Sequence, residues 1–517
     1  MPFVFVKQNL HQGRINQIFA SKVVPKYSVT TNEDLDSYWE DREERFRDAE
    51  GNINYDRLIN SVNVLGDTQI IGDKNHPERI HPVLKLIHER RRSNSTCTEG
   101  PRPDGCKVAL AVEGGGMRGC LSAGMVAAIH YLGLEETIDV VYGSSAGTVI
   151  GSYFITRQLQ WFGPEIYYDA LTTAGTKFID SSRLLRALGL GLADPRLIKD
   201  VITRPKFGKP VLSLDFLLKR TVQETKPLDW ERFAAMQKKQ PMNIVVSSLE
   251  QGTSVALNME NGDFASLSDL ANCMHASCLL PGIAGPVMNR QKNLRGNVAR
   301  KMVIGNKLDP DKYEPMADAL LYEPMPYHSA IKNGATHVIV LRTRPDGADV
   351  TGKSSFFERL IFRRFFLRKN SLVNIFRYVR QYRHKKRYAE SVLELNHEAW
   401  EERDYLDITK PHLLAIAVPP GSPEVPRLEI GRKAIFEGVR RGFARAYDAL
   451  VEDPTQRGKG TIVAKQYFPD EILNYDPLAI DSCDESAFQI HLKQIGENPD
   501  SWRVSGVQRS DSLKLEP

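Results

Sequence analysis

The sequence predicts an α/β protein centred on a three-layer α/β/α domain with a mostly parallel sheet, flanked by helical extensions at both ends. Two strand–loop–helix passages and a sustained alternation of strand and helix patterns carry that prediction. In the first passage the apolar run 107–112 meets a glycine loop, and Leu121, Met125, Ala128, Ile129 and Leu132 then recur at helical spacing. In the second, the strand-like run 139–142 meets a small-residue turn at 143–147, and a helix-compatible stretch follows to 158. Alternation of this kind continues to about residue 344 and argues for a parallel or mixed sheet with helices on its faces.

Four parts follow in order. Residues 1–104 form an N-terminal extension with a charged helical stretch at 37–48, a segment opened by a proline at 82–92 and a linker-like run at 93–104. Residues 105–344 hold the α/β domain. Residues 345–453 read as mostly helical, with one apolar run at 413–418, and 454–517 as an irregular tail. The composition is 41% hydrophobic and 26% charged, with 37 Gly and 29 Pro, which excludes a collagen, a coiled-coil rod and a wholly disordered chain. The balance of 69 basic and 64 acidic residues is too even for a chain that binds nucleic acid along its whole length. No apolar run is long enough to predict a spanning helix. The six cysteines are scattered with no CxxC pair, as expected of free thiols in a reducing compartment. Before Glu33 there is no acid, but Lys7, Arg14, Lys22 and Lys26 are present. That start reads as an ordinary basic arm and also fits an organelle transit peptide.

The loop Glu113-Gly-Gly-Gly-Met-Arg-Gly119 joins a strand to a helix N-terminus. Glycines let backbone N–H groups approach a ligand, and the helix start adds unpaired donors and partial positive charge. This is an anion-binding device. Gly114, Gly116 and Gly119 also fit the dinucleotide pattern GxGxxG, but the next strand ends without the acid that would hold a ribose. That strand ends instead in Gly143-Ser-Ser-Ala-Gly147, a GxSxG pattern centred on Ser145. Strand, GxSxG and helix in that order define a nucleophile elbow. The bland alternative is a small-residue turn in which Ser144 or Ser145 caps a helix. Adjacent parallel strands would bring the serine and the glycine amides to one sheet edge, where acyl transfer needs both a nucleophile and oxyanion donors.

With both loops in hand, the chain resembles the patatin-like phospholipases. Gly-Gly-Gly-Met-Arg-Gly at 114–119 and Gly-Ser-Ser-Ala-Gly at 143–147 look like the family's first two signature blocks. Ala-Ser-Cys-Leu-Leu-Pro-Gly-Ile-Ala-Gly-Pro at 276–286 is similar to the stretch before its catalytic aspartate. The run Leu-Arg-Thr-Arg-Pro at 341–345 resembles a bacterial branch that also carries a helical C-terminal extension. The resemblance covers about residues 107–344. It implies a Ser–Asp dyad with Ser145 as nucleophile and an oxyanion hole in the backbone of Gly114, Gly115 and Gly116, within the loop that continues through Met117, Arg118 and Gly119. The aspartate maps to Asp318, because 326–331 and 334–341 fall where the family has a helix and a strand. Here the chain departs from the pattern: Ala319 stands where the family has glycine, and a polar stretch between Met288 and Glu314 looks inserted. His275 and His328 are the rival bases.

Between Lys353 and Arg387 lie twelve basic residues, one acid and six phenylalanines. Leu372, Ile375, Phe376 and Val379 share one helical face, punctuated by Arg377, Arg380 and Arg383. Segment 353–387 is expected to contact an anionic membrane or lipid-droplet surface. The alternatives are docking of the same stripe on the sheet domain and contact with RNA, for which no motif is present. The combined expectation is a lipid acyl hydrolase, phospholipase A or acylglycerol lipase in type, needing no metal and no cofactor and binding no nucleic acid. It would work inside the cell, in the cytoplasm or at a membrane periphery. The alternative is a weak or inactive lipid-binding relative, on account of Ala319. A nucleotide-binding oxidoreductase would rest on the glycine loop alone.

Overall fold

The computed structural model describes residues 80–158, 162–180, 210–280, 283–285, 287–293, 299–305, 308–346, 348, 363, 366, 373–381, 383–398, 404–419, 421–475 and 487–497. The charged stretch at 37–48, Cys483 and most of 345–372 lie outside the described residues.

Five parallel strands form the centre of one sheet: β1 (Val108–Val112), β2 (Val140–Ser144), β3 (Met242–Ser248), β8 (His337–Leu341) and β9 (His412–Ile416), in the order β3-β2-β1-β8-β9. Side chains alternate between the two faces of such strands, and here both faces are covered. Val108, Leu110, Val112, Ile339, Leu341, Leu414 and Ile416 enter one core, whereas Ala109, Ala111, Val338, Val340, Leu413 and Ala415 enter the other. Helices α1 (Pro82–Arg92), α2 (Gly119–Tyr131) and α3 (Ala146–Ile155) contribute to the first core. Helix α4 (Leu267–Cys278) joins them there, while α5 (Tyr327–Lys332) and α7 (Arg383–Glu398) cover the opposite face. This is the expected three-layer arrangement.

Beyond β3 the sheet turns antiparallel. Strand β4 (Thr253–Leu257) pairs along one edge of β3. On the other edge β2 stops at Ser144, opposite Val245, and β7 (Tyr313–Ala317) takes over opposite Ser247 and Ser248. The polar stretch that looks inserted in the sequence is part of this sheet. It supplies β5 (Met288–Gln291), which pairs antiparallel with β7, and β6 (Met302–Ile304), which pairs antiparallel with β5.

The C-terminal part is built into the same body. Strand β9 extends the sheet, and helix α8 (Arg432–Leu450) crosses α2 so closely that backbones touch. A Cβ added at Gly124 would sit 1.9 Å from Val439 O, and one at Gly442 would sit 2.0 Å from Leu121 O. We therefore expect Gly124→Ala to destabilise the chain by about 1–3 kcal/mol through overpacking. A melting temperature equal to that of the wild type would show that the two helices can part at no cost.

Two further expectations meet the structure. The run 93–104 is a packed segment rather than a free tether: Arg102 is buried and donates to Asp139 Oδ1 at 2.5 Å and to Glu136 O at 2.6 Å. Helix α6 (Val373–Arg380) turns its apolar face inward. Ile375, Tyr378 and Val379 are buried against Leu249, Leu321 and Tyr322, and Tyr378 Oη donates to Leu321 O at 3.0 Å. Ile375 and Val379 thus cover protein, and the exposed side of the helix presents Arg377 and Arg380. Among the described residues no helix is long and apolar enough to cross a membrane.

Candidate active site

Strand β2 ends in the serine turn, and α3 begins at once behind it. Ser145 adopts φ 50° and ψ −122°, a conformation rare for a residue with a side chain. Such a backbone costs on the order of 1–3 kcal/mol and persists only where its surroundings enforce it. The glycines on either side do so by allowing close approach. A Cβ at Gly143 would meet Gly147 O at 2.6 Å, and one at Gly147 would meet Val112 O at 2.2 Å. The Ser145 N–H donates to Ser277 Oγ at 2.8 Å, and Ser277 Oγ donates to Val245 O at 2.6 Å, which ties the elbow to α4 and β3. Ser144 is fully buried and donates to Glu323 O at 2.9 Å, so its hydroxyl is committed to the fold.

The glycine loop lies directly against this elbow. A Cβ at Gly114 would sit 2.6 Å from Ser144 O and 2.6 Å from Ser145 Cβ. Its amides divide into two groups. Gly114 N–H donates to Pro324 O at 3.4 Å, Met117 N–H to Arg427 O at 3.0 Å and Arg118 N–H to Gly115 O at 3.3 Å. The Gly119 N–H points back to Gly116 O. Among the described residues, no acceptor lies on the Gly115 and Gly116 amides.

Asp318 follows β7 directly. Its Oδ2 accepts from Ser145 Oγ at 3.3 Å, and its Oδ1 accepts from the Leu320 N–H at 2.8 Å. The side chain caps a turn of 3₁₀ helix, Ala319–Leu321. That turn is right-handed, so Ala319 fits without a glycine's freedom, and the departure from the family pattern costs no strain here. Burial pushes the Asp318 carboxyl up to about 6, against the pull of the Leu320 N–H, the Arg427 guanidinium and the Ser145 hydroxyl. A base in that range is far better matched to neutral pH than a free aspartate.

Ser145 and Asp318 line a cavity of about 90 Å³. Its lining includes the apolar side chains of Leu171, Phe178, Leu212, Leu214, Leu217 and Leu280. Glu113, Arg118, Arg344 and Arg427 are also among the lining residues. Burial, then crowding by Arg344 and Arg427, lowers the Arg118 guanidinium to about 10 despite Glu424 Oε1 at 2.5 Å. Cys278 also lines the cavity, but burial lifts its thiol to about 12, so it is neutral and a poor rival nucleophile. Neither rival histidine is a lining residue. His275 is held near 4 by burial on α4, and His328 faces Glu394 at 3.4 Å in a separate cleft. Asp309 is exposed and pairs with Lys312 at 2.9 Å.

Sequence reasoning did not single out Ser277, Arg344, Tyr388 or Arg427. Ser277 sits inside the quoted block at 276–286, so a signal for it was present. Tyr388, Arg427 and Leu428 reach the cavity from the C-terminal part, and nothing in their local sequence marks them.

These features define a serine-elbow α/β protein in which an aspartate, rather than a histidine, meets the serine hydroxyl. Residues 110–331 match the patatin-like phospholipase family and are a patatin-like phospholipase domain. The crystal structure of VipD from Legionella pneumophila is similar at 12% identity with a TM-score of 0.31, covering 78% of this chain and 82% of that one, a likeness too slight to carry an argument. No curated protein matches the chain.

Proposed function

We propose that the protein hydrolyses a fatty acyl ester of a lipid through an acyl-Ser145 intermediate, with Asp318 as its base. The observation that carries this reading is the Ser145 Oγ–Asp318 Oδ2 approach of 3.3 Å at a positive-φ elbow. Asp318 accepts the hydroxyl proton as Oγ attacks the ester carbonyl. The developing oxyanion takes hydrogen bonds from the Gly115 and Gly116 amides. Removing one donor of this kind typically costs about 2.7–4 kcal/mol of transition-state stabilisation. Collapse expels the alcohol, which receives the proton from Asp318. Water activated by the same carboxylate then releases the fatty acid.

The cavity supports a choice of substrate. Its leucine and phenylalanine lining suits an acyl chain, and the arginines in the same lining suit a phosphate on the leaving group. A phospholipid therefore fits better than a neutral acylglycerol. The test is fatty-acid release from each of the two, together with a fluorophosphonate label located by peptide mass. Release from neither, with no label on Ser145, would refute the assignment.

The exposed Arg377 and Arg380 support electrostatic docking to an anionic lipid surface, with no apolar insertion of α6. Each basic residue near an anionic leaflet contributes about 1 kcal/mol. Replacing both by Gln should weaken binding to anionic vesicles roughly ten- to thirtyfold, and about 0.5 M salt should release the wild-type protein. Equal cosedimentation with neutral and anionic vesicles would rule this surface out.

A further inference from the structure

Strand β3 presents one edge to both strands that carry the reacting pair. Strand β2 runs along it as far as Ser144, opposite Val245, and delivers Ser145. Strand β7 meets it at Ser247, opposite Ala317, and delivers Asp318. The end of α4 fills the junction between them. In the ladder of β2 and β3 the Val141 N–H donates to Pro241 O at 3.0 Å. Bonds in a parallel ladder are evenly spaced, so the same register would place the Ser145 N–H on Val245 O. Ser277 Oγ stands between those two groups instead, accepting from the Ser145 N–H at 2.8 Å and donating to Val245 O at 2.6 Å. Two residues along, Leu279 O accepts the Asp318 N–H at 3.2 Å. One short segment thus holds the backbones of both Ser145 and Asp318.

We propose that Ser277 is a positioning residue for the reaction: its hydroxyl diverts the Ser145 N–H from the ladder and so fixes the elbow that lays Ser145 Oγ against Asp318. The proposal rests on the Ser145–Asp318 reading above. Ser277 is fully buried and is not a lining residue of the cavity, so it acts through Ser145. A hydroxyl suits the junction because it accepts and donates at once. An alanine at 277 can do neither. The Ser145 N–H and Val245 O then lose their bridge, and a buried polar group without a partner is costly. Closing the ladder directly would satisfy both. That closure draws Ser145 toward the extended backbone of a strand and away from its φ of 50°. The Oγ then turns from the Asp318 Oδ2 that it meets at 3.3 Å. With Ser277 in place the Ser145 N–H is committed to the fold, which leaves the oxyanion to the Gly115 and Gly116 amides.

The experiment measures fluorophosphonate inactivation of the full-length chain, resolved into a maximal rate and a half-saturating concentration. Misplacing a reacting group by about 1 Å can cost about a hundredfold. Ser277→Ala should therefore lower the maximal rate about ten- to a hundredfold and leave the half-saturating concentration unchanged, because the cavity lining stays intact. Ser277→Cys fills nearly the same space with a weaker donor and acceptor and should fall between alanine and the wild type. It carries the comparison by itself if the alanine variant does not fold. The same substitution is then made in an Asp318→Asn background. A residue that works by holding Ser145 to Asp318 has little to lose once the base is gone, so there the cost should shrink to about threefold or less. A residue that serves only the fold would cost the same factor in both backgrounds, and that result overturns this inference alone. So does a wild-type rate in either variant, or a loss carried by the half-saturating concentration. A wild-type chain that takes no label, or an Asp318→Asn chain labelled at the wild-type rate, overturns the Ser145–Asp318 reading and this inference together.

Discussion

Ser145→Ala should abolish fluorophosphonate labelling and ester hydrolysis while the chain remains folded. The fold tolerates the change because alanine keeps the Cβ and the N–H that donates to Ser277 Oγ. What is lost is the Oγ, which donates to the Asp318 carboxylate. No neighbour can replace it: Ser144 Oγ is bonded to Glu323 O, and the Cys278 thiol is held neutral by burial. Loss of a serine nucleophile from a working constellation costs on the order of 10⁶-fold in kcat. Peptide mass should place the wild-type adduct on Ser145, and an adduct on Ser144 or Cys278 would show the elbow to be misassigned. A companion variant separates chemistry from backbone strain. Ser145→Gly removes the same hydroxyl and relieves the φ of 50°, so it should be inactive yet more stable than Ser145→Ala by about 1 kcal/mol.

The parts of this site that the sequence displays are those made of consecutive residues. An apolar strand, a glycine run and a helical spacing identify the loop at 114–119, and a second strand with small residues identifies Ser145. Both depend on contacts within a few positions along the chain. Asp318 was reachable by chain order, because a helix and a strand follow it at recognisable distances. The consequence of Ala319 was not, since only the backbone shows that the next turn is right-handed. Strands β5 and β6 escaped notice because Met-Asn-Arg-Gln and Met-Val-Ile are short and poorly alternating, as befits the outer part of a sheet. The stripe on α6 was seen, but periodicity says only that a face is covered. Whether lipid or protein covers it depends on Leu249, Leu321 and Tyr322, which are distant in sequence. Arg427 is the extreme case. Its carbonyl meets the Met117 N–H from the stretch before α8, and a lone arginine in an irregular stretch carries no local signal.

Asp318→Asn should lower turnover by about 10²–10⁴-fold, the usual worth of a positioned general base. Asparagine can still accept the Leu320 N–H through Oδ1, so the turn survives and the loss reports on chemistry. Asp309→Asn and His275→Gln should remain near wild type, because Asp309 is paired with Lys312 in solvent and His275 does not line the cavity. The pH dependence follows from the same burial. Only ionised Asp318 accepts the serine proton, so wild-type activity should fall as pH drops through about 6. Stability has the opposite sense. A carboxyl whose folded value is raised above its unfolded value of about 3.9 favours the protonated form on folding. Its penalty is absent below about pH 4, grows between pH 4 and 6, and is complete above that. Asp318→Asn removes the penalty. The variant should therefore melt above the wild type at pH 8, by an amount equivalent to about 2–3 kcal/mol, and level with it near pH 4. An enzyme that loses activity and gains stability through one substitution is keeping a buried charge for its reaction. Near-normal turnover in Asp318→Asn, or a melting curve that does not depend on this residue at pH 8, would mean that the carboxylate serves the fold and that another group takes the Ser145 proton.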